Sequence, residues 1–174
     1  VSSVCIDGAT NTLGMVTLTE AEVTGGCLLT DVDVIVYWSK TDGSCAAPTG
    51  AGNSHHSETR FTVNGPLSNE PLAISGSETT ATWNGGVSIT SVTTRFNSGP
   101  GISPIPSGTP VSGTFRPDPD GGGNLNDYNN TSALGAWSLT AGDAVGFEWH
   151  SSADAFGIEG MSFGVSSSFN TDAT

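Results

Sequence analysis

Residues 27–39, CLLTDVDVIVYWS, constrain the fold more than any other stretch. Val32, Val34 and Val36 recur at every second position, with Trp38 next in the series. Asp31, Asp33, Ile35 and Tyr37 fill the alternate positions. A period of two built on β-branched residues marks a half-buried strand, because successive side chains of a strand point to opposite faces. Residues 15–23, 58–63, 87–96, 111–115, 136–140, 144–150 and 156–165 repeat the strand signal, and 72–74 and 79–83 are shorter candidates.

Between these runs lie stretches rich in Gly, Pro, Asn and Ser, at 40–57, 97–110 and 117–133, which read as long polar loops. Apolar spacing of three and four is absent, so no helix is expected. About eight to ten short strands with polar connections predict an all-β fold, an antiparallel β-sandwich or jelly roll. A chain of 174 residues fits one domain. The expected division is an N-terminal segment over 1–14, free to act as a strand-exchange or anchoring arm, the jelly roll over 15–165, and a polar C-terminal tail over 166–174.

Charge narrows the function. Lys and Arg total 4 against 17 Asp and Glu, a formal net charge of -13. Nucleic-acid binding needs cationic groups that displace counterions from phosphates, and this chain has too few. Anionic membrane surfaces would repel it. No apolar run is long enough for a helical membrane span. The opening VSSVCIDG lacks an initiator Met and reads as a processed chain whose leader was removed. The expected location is therefore secreted, extracellular or at the cell surface. Cys5, Cys27 and Cys45 contain no CxxC pair, so one disulfide with one remaining thiol is expected, and all three pairings stay open.

Several clusters bear on chemistry. Asp118, Asp120, Asn124 and Asp127 supply oxygens on a Gly-rich loop that would suit calcium, although no Glu closes the pattern; a turn built on Asx side chains explains the same residues. Asp31, Asp33 and Asp143 are a second acidic set. His55 and His56 precede Ser57 and Glu58, but no Gly-x-Ser-x-Gly elbow accompanies them, and His150 is the one further histidine. Glu148 and Asp154 would be needed across a cleft for glycoside hydrolysis. Trp38, Trp83, Trp137, Trp149, Tyr37 and Tyr128 could stack on a sugar, but strand positions favour the core for them. Asn129 and Asn130 head two overlapping glycosylation sequons. Lys40, the only lysine, reads as a surface residue; an isopeptide crosslink is the sharper alternative.

Three stretches resemble a known family. LTDVDVIVYW at 29–38, followed by KTDGSC at 40–45, is similar to an opening strand and loop; SGTFRPDPDGGGNLNDYNN at 112–130 is similar to a later loop; GAWSLTAGDAVGF at 135–147 is similar to a Gly-x-Trp-x-Leu-x-x-x-Asp signature. Together they resemble the P domain, the β-jelly-roll module that follows the catalytic domain of kexin- and furin-like proprotein convertases, in its secreted bacterial branch. Val63-Asn64-Gly65-Pro66-Leu67 stands where that family often has Ser-Pro-Ser-Gly-Thr. The resemblance implies a jelly roll in a secreted setting, not protease activity.

The expected function is a non-catalytic extracellular structural subunit. It would self-assemble with identical subunits into a filament, sheath or surface layer through strand or edge contacts, residues 1–14 or 161–174 supplying an exchanged strand. The alternatives are a secreted module binding carbohydrate or a cell surface, with a glycan as partner, and an accessory stabilising domain of a larger secreted protease. No enzyme activity is expected, and calcium is the one cofactor the residues would suit.

Overall fold

The computed structural model describes residues 4–6, 10–20, 28–44, 47–49, 59–73, 89–109, 111–117, 123–143 and 154–164. Ten strands lie among them: β1 (Val4–Ile6), β2 (Thr10–Leu18), β3 (Asp33–Ser44), β4 (Ala47–Thr49), β5 (Thr59–Asn64), β6 (Asn69–Ala73), β7 (Ile89–Phe96), β8 (Gly113–Phe115), β9 (Gly135–Asp143) and β10 (Asp154–Gly164). One 3-10 turn, Leu125–Tyr128, interrupts the all-β pattern. The strands form a two-sheet sandwich. A six-stranded sheet runs β1-β10-β3-β7-β8, with β4 also paired to β3, and a four-stranded sheet runs β2-β9-β5-β6.

The alternation read in the sequence decides which residues fill the space between the sheets. Val32, Val34 and Val36 are fully buried and Trp38 nearly so, whereas Ile35 is half-buried and Tyr37 exposed. Facing them across the sandwich are Phe61, Val63, Leu72, Trp137, Leu139 and Ala141. The Trp38 and Phe61 rings meet edge to face at 5.4 Å, and Phe61 lies 6.2 Å from Phe96. Such contacts add about 0.5–1.5 kcal/mol each to the burial of the rings. The polar ends of the buried rings are satisfied. Trp38 Nε1 donates to Thr94 Oγ1 at 2.9 Å, and Trp137 Nε1 to the Ala133 carbonyl at 2.8 Å.

Several boundaries differ from expectation. Residues 4–6 and 10–14, placed by the sequence in an N-terminal segment, are strand residues: β1 pairs β10, and β2 pairs β9 from Thr10 to Leu18 with a register shift at Leu13. Residues 161–164, read as a source of exchanged strand, pair with β3 as part of β10. The expected loop at 40–57 begins instead as sheet. β3 runs to Ser44, and Ala47–Thr49 folds back on it with Asp42 opposite Thr49. Backbone groups make the ladder, so a polar run extends a strand when a neighbour is at hand. At the other end, residues 28–32 lie before β3, although Val32 keeps its place in the core. The expected strands 79–83 and 144–150 lie outside the described residues.

Among the described strands, one pairing departs from the antiparallel plan. β7 and β8 run parallel, Thr94 opposite Gly113 and Phe96 opposite Phe115. A parallel pair needs a long crossover, and the Pro- and Gly-rich stretch after β7 supplies it. Buried Ile105 anchors that crossover.

Candidate functional site

The feature that stands apart from the core is the outer edge of the four-stranded sheet. Among the described residues, β2 pairs on one side only, with β9. Its nine residues, TNTLGMVTL, contain no charge and no proline. At about 3.4 Å per residue it offers roughly 30 Å of backbone, of which about half the N–H and C=O groups point away from β9. Natural edges are normally protected by Lys, Pro, bulges or shortness. The other outer strands follow that rule: β1 and β8 have three residues each, β4 has three including Pro48, and β6 has five including Pro71. β2 carries one such device, a register shift between Thr12 and Gly14. Leu13 at the shift is buried. Beyond it, Gly14, Val16 and Leu18 lie opposite Leu139, Trp137 and Gly135, while Met15 and Thr17 lie opposite Ser138 and Ala136. Trp137 and Leu139 face the core, so Met15 and Thr17 face outward, and Met15 is 73% exposed.

An acidic corner ties β3 to β7. Arg95 Nε donates to Asp33 Oδ1 at 2.8 Å, and Arg95 Nη2 donates to Asp33 Oδ2. Asn97 Nδ2 faces three acceptors: Asp33 Oδ1 at 2.8 Å, and Asp31 Oδ2 and Oδ1 at 2.9 and 3.1 Å. The Gly99 N–H donates to Asn97 Oδ1 at 2.6 Å, which fixes the amide with its nitrogen toward the carboxylates. The hydrogen bond from Arg95 holds the Asp33 carboxyl below its ordinary range, against the opposing effect of burial, with help from Asn97. The same hydrogen bond pushes Arg95 up. The corner is a strut between strands. The sequence groups Asp31 and Asp33 with Asp143 as an acidic set, and nothing in their spacing points to Arg95 and Asn97, the partners the structure gives them. Arg95 is the only charged residue in ITSVTTRF and was the available signal.

The loop read as a calcium candidate is built as a capped turn where it is described. Asn124 caps Leu125–Tyr128, its Oδ1 accepting the Asn126 N–H at 3.2 Å and its Nδ2 donating to Asp127 Oδ1 at 2.7 Å. Glu70 on β6 accepts the Asn124 N–H at 3.0 Å, and Ser98 Oγ accepts the Leu125 N–H at 2.9 Å. Asp118 and Asp120 lie outside the described residues. Among those described, no group of three or more His, Cys, Asp or Glu is placed to hold a metal ion. The turn instead delivers Tyr128 into the core, 4.8 Å from Trp137, its hydroxyl donating to the Ser68 carbonyl at 2.9 Å. Burial pushes the Tyr128 phenol up. The neighbouring Asn64-Gly65-Pro66 turn has no room for a side chain: a Cβ on Gly65 would lie 2.5 Å from Tyr128 Cε1 and 2.9 Å from Trp137 Cζ3.

The remaining candidates are scattered. Cys5 lies in β1 opposite Gly157, and Cys27 and Cys45 lie outside the described residues. Asn129 is half-buried and donates to Asn126 Oδ1 at 3.1 Å, whereas Asn130 is exposed in the left-handed region at φ 62°. Trp38, Trp137 and Tyr128 are core residues, and Tyr37 is 41% exposed. Lys40 lies in β3 opposite Phe156 and Ile89, Asp143 ends β9 and Asp154 begins β10. His55, His56, His150, Glu148, Trp83 and Trp149 lie outside the described residues. Comparison with family models, with curated proteins and with solved structures finds no match to this chain.

Proposed function

We propose that this protein is a non-catalytic, exported structural subunit that associates with copies of itself through an open sheet edge, as a building unit of a filament, sheath or surface layer. The observation that carries the reading is β2: nine residues, free of charge and proline, on the edge of a chain with a net charge of -13. The net negative charge opposes the approach of a second copy. β2 itself adds no charge to that opposition, and an exposed edge accepts an added strand. The resemblance to the P domain, which implies a jelly roll in a secreted setting, supports an exported subunit.

Residues 4–6, 10–14 and 161–164 of the expected donor arms pair within the chain's own sheets, so the open edge, not an exchanged terminus, is the contact proposed. Electron microscopy and light scattering of the purified chain test the reading. Ordered assemblies or stable oligomers are expected, and a Met15→Lys substitution, which charges the edge, should weaken them. A chain that stays monomeric at every concentration would refute it.

A further inference from the structure

The partner that fits β2 can be narrowed, on the assumption that the edge-assembly reading holds. An added strand has to run the length of the regular part of the edge, residues 14–18, and bring no charge or proline against it. Among the described strands with a free side, β1, β4 and β8 offer three residues, β4 and β6 contain proline, and β6 also carries Glu70. Among the described strands, the one that meets the requirement is β2 itself. The geometry points to β2 pairing antiparallel with β2 of a second copy, about a two-fold axis at Val16.

The register follows from the bulge. Between Thr12 and Gly14 the strand is out of step, and a bulge leaves an unpaired residue that breaks a ladder. The regular half, 14–18, is the part able to pair. Antiparallel pairing of that half with itself sets Val16 against Val16 of the partner subunit, Gly14 against Leu18 of the partner subunit, and Met15 against Thr17 of the partner subunit. Every pair then joins residues of the same face: Gly14, Val16 and Leu18 on the inner face, Met15 and Thr17 on the outer. A register shifted by one residue would set inner against outer positions. The pairing also gives exposed Met15 a cross-strand neighbour, and it joins two four-stranded sheets into one continuous sheet. Such an interface is isologous and closes as a dimer, so any extended assembly would be built from dimers through a second face.

Charge exchange tests this with the full chain. One variant carries Met15→Lys with Thr17→Lys, the other Met15→Glu with Thr17→Glu. Both positions are exposed, so circular dichroism and the thermal midpoint should match the wild type. In the proposed register the introduced charges of identical copies face one another and repel, whereas in a mixture they face opposite charges. Light scattering should give at least a two-copy mass for the wild type, a one-copy mass for each variant alone, and recovery of the two-copy mass in an equimolar mixture. If the variants stay apart when mixed while the wild type associates, the edge is used against a different surface: the two-fold pairing is overturned and the edge reading survives. If each variant alone associates as the wild type does, the edge reading fails and the pairing with it.

Discussion

β3 and β2 are both strands of good β-forming sequence, yet they do opposite things. β3 is bonded on both sides, by β10 and β7, and its alternate residues Val34, Val36 and Trp38 are sealed in the core. Its register is held twice over, by two ladders and by a buried face. Among the described residues β2 is bonded on one side, and its outward residues are Thr and an exposed Met. A change in β3 therefore acts on whether the chain folds. A change on the outer face of β2 acts on what the folded chain meets.

The sharpest way to break the comparison is to open the core beside β3. Phe61 touches both Trp38 and Phe96, so Phe61→Ala should cost about 3–5 kcal/mol, read as a fall in the urea midpoint. A midpoint close to wild type would mean the two sheets are not packed through these rings. Next, Gly65→Ala forces a methyl against Tyr128 and Trp137 and should cost about 1–3 kcal/mol. Denaturation followed by tryptophan fluorescence would check it.

The acidic corner should contribute less, because the Arg95 side chain is 48% exposed and solvent screens the pair. Asp33→Asn is expected to cost about 1 kcal/mol at neutral pH. Its pH dependence has a definite sign. The Asp33 carboxyl is held below its unfolded value of 3.8, so its contribution is present above that pH and is lost as pH falls through the folded value. The difference in midpoint between wild type and Asp33→Asn should narrow as the solution is acidified below pH 4 or so. A constant difference would remove the ion pair as its cause. Smallest of all for folding is Met15→Thr on β2, where surface substitutions stay within about 0.5 kcal/mol. Its effect should appear in self-association instead. Added salt should work the other way on the wild type, strengthening association by screening the acidic surface.

Much of the sandwich was legible because burial imposes a period of two. Spacing alone sets Val32, Val34, Val36 and Trp38 on one face and they are buried, whereas the core position expected for Tyr37 is not found: it lies on the other face and is 41% exposed. The continuation of β3 through Lys40–Ser44 was not, because a polar strand and a polar loop share a composition and differ only in having a neighbour to bond. The candidate edge was half legible. The alternating MVTLTEAEV run marked a strand near the N-terminus, but its start at Thr10 and its place at the end of a sheet are pairing facts. Asp31 and Asp33 were noticed as acids; that Arg95 and Asn97 come to meet them depends on β7 lying beside β3.

The amino-acid order alone determined the class of structure: residues that alternate in polarity every second position must lie at the boundary between a core and something polar, and strands are the way to satisfy that. It also determined the acidity that sets the chain apart from nucleic acid. Which strands neighbour one another was decided only when the sheets assembled, because backbone hydrogen bonds carry no residue label. For the same reason, only the tertiary structure decided that β2 would lie at the end of its sheet among the described strands.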